Sequence, residues 1–357
     1  MSNKSLRAAK KAKNDEFWTL MPDIEKEVSQ YKDQFEDKVI YCNCDDYRWS
    51  NFYKYFKDHF KEYKLKRLIA SCLTGEYASY DGNVETTGKL QNGDFRKEES
   101  IELLKTADII CTNPPFSLFR EYIAQLMKHK KKFLIISNQN AIICKEIFPL
   151  IKDEKIWLGY RKMSPWEFQI PDSATEWKRI DDDGKKYATL GSVCWFTNLP
   201  VKRFDEKITL VKTYNPKDYP KYDNYDAIEV GKVADIPKDY NGVMGVPITF
   251  LYSYNPSQFE IVGATESDGK GFSNGLWDEK SKDAHSLVNS KKTYKRLFIK
   301  KKNENNTNKN IGFKILGITR SWDKSEITES LRIGKKNRSE PLINGEHKYT
   351  RFLIQKI

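Results

Sequence analysis

Short β-prone runs alternate with helical segments through the first half of the chain, and no other feature restricts its possible folds as strongly. KVIYCN (residues 38–43), RLIASCL (67–73), ADIICT (107–112), KKFLIIS (131–137) and EKIWLGY (154–160) read as strands. Helical apolar spacing covers 23–35, and helical segments are expected over 51–63, 98–105, 118–128 and 141–151. Strands alternating with helices predict an α/β fold, a largely parallel sheet with helices on both faces. Such sheets take their ligands at the carboxyl ends of the strands, where the polar loops 43–46, 113–116 and 138–140 fall. Past residue 161 the pattern changes to GSVCWFTNL (191–199) and then to short strands rich in Tyr, Asn and Pro. The boundary between an α/β domain, 14–212, and a smaller β-rich region, 213–357, is placed near residue 212.

Two domains suit a chain of 357 residues, because single cores rarely grow beyond about 250 to 300 residues. The apolar content of 39% is enough to build cores and excludes wholesale disorder. No apolar run approaches the roughly 20 residues that span a bilayer, and the opening MSNKSLRAAKKAK has no apolar signal core. A cytoplasmic protein with no membrane partner is expected. Residues 1–13 read as a flexible basic arm. The six cysteines follow no disulfide framework, and Cys42-x-Cys44 lacks the second ligand pair of a zinc site, so no metal is expected. A net charge of +12 favours a polyanionic partner.

The stretch ADIICTNPPFSLF raises a chemical expectation. Pro114 and Pro115 fix their own φ near about −65° and push the residues before them out of the helical region, so Asn113 stands on stiff, extended chain at a strand end. Its amide oxygen, the Pro114 carbonyl and the flat face of Phe116 then lie within four residues, which suits a planar aromatic amine. The lone pair of such an amine is conjugated into its ring. Two acceptors on its hydrogens, Asn113 Oδ1 and the Pro114 carbonyl, draw the nitrogen toward tetrahedral geometry without a strong base. For the N6 amine of adenine in a duplex, the base has to be flipped out first.

The last third repeats itself. FEIVGATES (259–267) matches FKILGITRS (313–321), and LVNSKKTYKRLFIKKK (287–302) matches LINGEHKYTRFLIQKI (342–357), at nearly constant separation. Two repeat units, 259–302 and 313–357, are expected. KKTYKRLFIKKK alternates cations with apolar residues, so Lys295, Arg296 and Lys300, with Arg351 in the second copy, are candidate phosphate contacts; a solvated edge strand explains the same pattern.

Residues 113–116 resemble the Asp/Asn-Pro-Pro-Tyr/Phe motif of S-adenosylmethionine-dependent amino methyltransferases. Together with KNDEFWT (13–19), YCNCDD (41–46), GDFR (93–96), TNPPFSLFREYIAQLM (112–127), KIWLGY and VPITFLYSYNPSQFEIVG, in that order, they resemble the EcoRI-type adenine-specific DNA methyltransferases from residue 13 onward. The resemblance implies a Rossmann-like methyltransferase sheet, S-adenosylmethionine as cofactor, and methyl transfer to N6 of a flipped adenine by Asn113, Pro114, Pro115 and Phe116. It implies Phe17 and Thr19 at the methionine end of the cofactor, Asn43, Asp45 and Asp46 lining the same pocket, and Asp94 with Phe95 at the cofactor adenine. The chain departs from the broader pattern after its first strand, where NCDD replaces the glycine-rich turn. Double-stranded DNA is the implied partner, recognised by residues 213–357, with a cognate restriction endonuclease that shares the site without a stable complex. An RNA adenine or protein glutamine methyltransferase, or a silent DNA-binding module, are the alternatives.

Overall fold

The computed structural model describes residues 17–162, 164–223 and 225–265, then the short pieces 300–302, 313–315, 341–344, 346–347, 349 and 351–356. Residues 1–13, Lys295 and Arg296 lie outside the described residues, as do most of the two expected repeat units. Contacts divide the chain between Val201 and Lys202, ahead of the boundary expected near 212.

The first unit is built on β1 (Trp18–Thr19), α1 (Met21–Val28), β2 (Val39–Cys42), α2 (Asn51–Asp58), β3 (Arg67–Ser71), β4 (Glu76–Tyr80), β5 (Glu85–Lys89) and α3 (Glu98–Thr106). It continues with β6 (Ile109–Thr112), α4 (Phe119–Lys128), β7 (Lys132–Asn138), α5 (Phe148–Lys152), β8 (Trp157–Leu158), β9 (Ser164–Ile170), β10 (Arg179–Ile180) and β11 (Lys186–Thr197). One mixed sheet joins these strands in the order β1-β9-β11-β7-β6-β2-β3-β4-β5, with β8 and β10 pairing β11. At its centre β7, β6, β2 and β3 are parallel, and every residue of β2 and β6 is buried, the pattern of strands covered on both faces.

The flanks are antiparallel and exceed the sequence expectation. The β4–β5 hairpin turns at Asp81 and Gly82, where the Asp81 carboxylate accepts from Asn83 N and Val84 N and Gly82 takes a φ of 99°. The expected strand 154–160 shrinks to β8. The expected helix 23–35 becomes α1 followed by a 3-10 segment, and the helix expected over 51–63 ends at Asp58. The helix expected over 141–151 splits into a 3-10 turn, Gln139–Ile143, and α5, because Pro149 has no N–H for a continuous helical ladder. In the 138–140 loop, which does not line the cavity described below, the Asn138 side chain caps that turn, accepting from Asn140 N, and donates to Gly191 O.

In the second unit β12 (Ile228–Glu229), β13 (Met244–Pro247), β14 (Phe259–Ala264), β15 (Lys300–Lys302), β16 (Phe313–Ile315), β17 (Leu342–Ile343), β18 (Glu346–His347) and β19 (Arg351–Lys356) follow. One sheet runs β12-β13-β19-β14 and a ribbon pairs β15 with β16. Strands therefore pair across the expected repeats: β14, opening the first, lies against β19, closing the second. The register shifts between Ile261 and Gly263, an irregularity in the β14–β19 ladder. No helix among the described residues is long and apolar enough to cross a membrane.

Candidate active site

Five chain segments converge on one cavity of about 500 Å3 in the first unit: the β1 strand, the turns that follow β2, β3 and β6, and the segment before α3. The cavity opens where β2 and β6 separate. Their ladder ends at Tyr41 and Ile110, while β6 stays paired with β7 as far as Thr112. The order of the parallel strands reverses at this point of the sheet, the general location of ligand crevices in open α/β sheets.

Asn113 stands at the end of β6. Its Nδ2 donates to the main-chain oxygen of Phe17 at 2.7 Å, and its Oδ1 is buried without a protein partner. The Phe17 carbonyl thus fixes which end of the amide is left as an acceptor. Pro114, Pro115 and Phe116 line the cavity beside it, and the Phe116 ring stacks on Phe17, with centroids 6.1 Å apart and planes 21° from parallel.

The turn after β2 is acidic and well partnered. Asp45 is buried, accepts from Ser50 Oγ at 2.6 Å and from Thr112 Oγ1, and its carboxyl is pushed up to about 6 by that burial. Burial also opposes ionisation of Asp46, yet hydrogen bonds from Arg48 outweigh it and hold this carboxyl below its ordinary range. Asn43 Oδ1 accepts from Tyr122 OH. Neither aspartate caps α2: Ser50 does, accepting from Phe52 N and Tyr53 N.

Asp94 is held below the ordinary carboxylate range by Arg96, which reaches it with its main-chain N–H and its guanidinium. Gly93 lets this segment approach the loop after β3, since a Cβ there would stand 1.8 Å from Cys72 O. Phe95 is buried with its ring edge-on to Tyr122. Thr19 is buried with its hydroxyl unpartnered, as is the indole N–H of Trp18.

A family model described as "Adenine-specific methyltransferase EcoRI" matches residues 5–90 and 78–356. The chain belongs to this family. It is 46% identical to the Type II methyltransferase M.EcoRI of Escherichia coli, over 84% of this chain and 97% of that one. It is 40% identical to M.MgeORF184P of Mycoplasma genitalium, over 82% and 97%, and 39% identical to M.MpnI of Mycoplasma pneumoniae, over 71% and 83%. No solved structure matches it. The protein is an adenine-specific methyltransferase.

The cavity of this methyltransferase brings together all eleven residues singled out for it in the sequence: Phe17, Thr19, Asn43, Asp45, Asp46, Asp94, Phe95 and the run 113–116. Phe52 is 2% exposed, but Trp49 is 49% exposed, tilts against Trp18 at 4.5 Å and lines the cavity, because it sits on the turn before Ser50 rather than on the buried face of α2. Cys72, Leu73 and Thr74 were missed, although they follow β3 and the carboxyl-end rule points to them.

The phosphate contacts fare differently. Lys300 opens β15. Arg351 is committed within its sheet: its guanidinium meets Glu229 at 2.6 Å, with only 12% and 13% of the two side chains exposed, so its role as a phosphate contact is corrected to an internal ion pair.

Proposed function

We propose that this methyltransferase transfers a methyl group from S-adenosylmethionine to N6 of an adenine flipped out of double-stranded DNA at a specific site. The observation that carries this reading is the buried, partnerless Oδ1 of Asn113, oriented by Phe17 and beside the Pro114 carbonyl at the cavity wall. Those two oxygens accept the amine hydrogens and bring the nitrogen lone pair out of conjugation, and the Phe116 face carries the base. Bound S-adenosylmethionine would supply a methyl already activated on cationic sulfur; its transfer to N6 would break the C–S bond, leave S-adenosylhomocysteine and release one proton from the nitrogen, so no strong base would be needed to generate the nucleophile.

The residues present fit such a cofactor. The turn after β2 contains no glycine and offers carboxylates, which suits a ligand with ammonium and amino groups and no phosphate. Thr19 Oγ1 and Trp18 Nε1 stand buried and unpartnered in the same wall. In this reading Phe17, Thr19, Asn43 and Asp46 hold the methionine end, and Asp94 and Phe95 the adenine. The strand order supports a Rossmann-like sheet in a catalytic domain, 14–212. Residues 213–357, with a duplicated unit and the cations Lys295, Arg296 and Lys300, then serve target recognition. The chain acts in the cytoplasm, and any cognate endonuclease shares the site without a lasting complex.

Tritium transfer from labelled cofactor to duplex DNA, RNA and protein, run side by side, tests the substrate. Label in duplex DNA alone, at N6 of adenine, is expected. Label entering RNA or protein instead overturns the reading.

A further inference from the structure

The resemblance to known methyltransferases assigns Asp45 to the cofactor, but its geometry serves another purpose. Each of its carboxylate oxygens already accepts a hydroxyl: Oδ1 from Ser50, which caps α2, and Oδ2 from Thr112, the residue before Asn113. Asp45, Ser50 and Thr112 are all buried. Their position matters because the ladder between β2 and β6 stops at Tyr41 and Ile110. Beyond that point Thr112 is tied by backbone to β7 on one side only. On the other side the crevice is crossed by the side-chain bond from Thr112 to Asp45. The Asp45 main chain is in turn anchored, donating its N–H to Ser71 O at 2.9 Å.

We infer that Asp45 is a positioning residue which straps the end of β6 across the crevice to the β2 turn and so sets the placement of Asn113. This rests on Asn113 being the catalytic acceptor. A displacement of about 1 Å at such a group costs on the order of 100-fold in rate, so the strap acts on the chemical step more than on ligand affinity. Thr112 carries the effect. Thr112 itself does not line the cavity.

The test compares Thr112→Val, Thr112→Ser and Asp45→Asn in the full-length protein, with Asn113→Ala as a reference. Single-turnover methyl transfer to duplex DNA and equilibrium binding of S-adenosylmethionine are both measured. Thr112→Val is expected to slow transfer about 10- to 100-fold while cofactor affinity stays within about threefold. Thr112→Ser, which keeps the hydroxyl, restores most of the rate. Asp45→Asn should resemble Thr112→Val. Thr112→Val with the wild-type rate overturns the strap, as does Asp45→Asn that weakens cofactor binding at an unchanged saturating rate. An active Asn113→Ala variant would instead remove the catalytic reading on which the strap depends.

Discussion

The Asn113 amide gives a hydrogen from Nδ2 to Phe17 O at 2.7 Å, and that bond leaves Oδ1 as the acceptor in the cavity wall. β1 itself is held by pairing with β9, Trp18 opposite Gln169 and Thr19 opposite Phe168, and by the Asn51 side chain, which donates to Thr19 O at 2.8 Å. The 113–116 turn is therefore completed by a segment almost a hundred residues away.

Asn113→Ala removes the acceptor and leaves the stiff prolines in place. Transfer should fall by about 100- to 1,000-fold, the usual loss for one preorganised polar group at a reacting centre. DNA affinity, measured by anisotropy, should change by less than about threefold. A variant of undiminished rate would refute the assignment.

The Asp45 carboxyl predicts opposite pH trends for stability and activity. Its folded value of about 6 lies above the ordinary 3.8, so the native state binds its proton more tightly than the unfolded chain does. This group's contribution to stability is therefore highest below about pH 4 and falls as pH rises through about 6, by roughly 3 kcal/mol in all. Asp46 and Asp94 have lowered values and work the other way, losing their contribution below pH 4. The groups facing Asp45 are Asp46, Cys42, Cys44, Cys111 and Tyr122. Burial raises the last four well above neutrality, so they stay uncharged in this window. Between pH 4 and 6 denaturant midpoints should therefore move down with pH, and Asp45→Asn should flatten the slope. Transfer should move up with pH in the same window, as the ionised carboxylate accepts both hydroxyls. Parallel trends would count against this account.

Glu27 is fully buried and accepts from Tyr31 OH at 3.0 Å and from the main-chain N–H groups of Tyr160 and Arg161 at 2.7 Å each. Glu27→Ala strands both main-chain donors and opens a hole, and should cost about 3 to 5 kcal/mol in urea unfolding. Glu27→Gln keeps the shape and one acceptor oxygen and should cost less than half of that. Equal costs would place the effect in the carboxylate's charge and second acceptor oxygen rather than in volume.

Arg351→Ala should lower stability by about 3 kcal/mol, since it leaves Glu229 largely buried without its cation, and should leave the salt dependence of DNA binding unchanged. Neutralising Lys295, Arg296 and Lys300 together should reduce the slope of log affinity against log salt by about 2 to 3. If Arg351→Ala alters the slope and the triple variant does not, the assignments are reversed.

The central strands were legible because parallel strands buried on both faces are continuous apolar runs, and β2, β3, β6 and β7 appear in the sequence as such. The hairpin β4–β5 was less visible: β5 is mostly exposed and reads as Glu-Thr-Thr-Gly-Lys, with no apolar stripe to mark it. Apolar character predicts burial only on average, and Trp49, on a cavity-facing turn, escapes that average.

The sequence by itself determined the stiff, extended backbone at 113–116, since two prolines constrain their own backbone wherever they stand, and it determined which strand ends carry polar turns. Only the tertiary structure decided how Asn113 is oriented, which hydroxyls hold Asp45 and that Arg351 is spent on Glu229. Local sterics act over a few residues, whereas hydrogen-bond partners are chosen by whichever distant strands the folded sheet sets side by side.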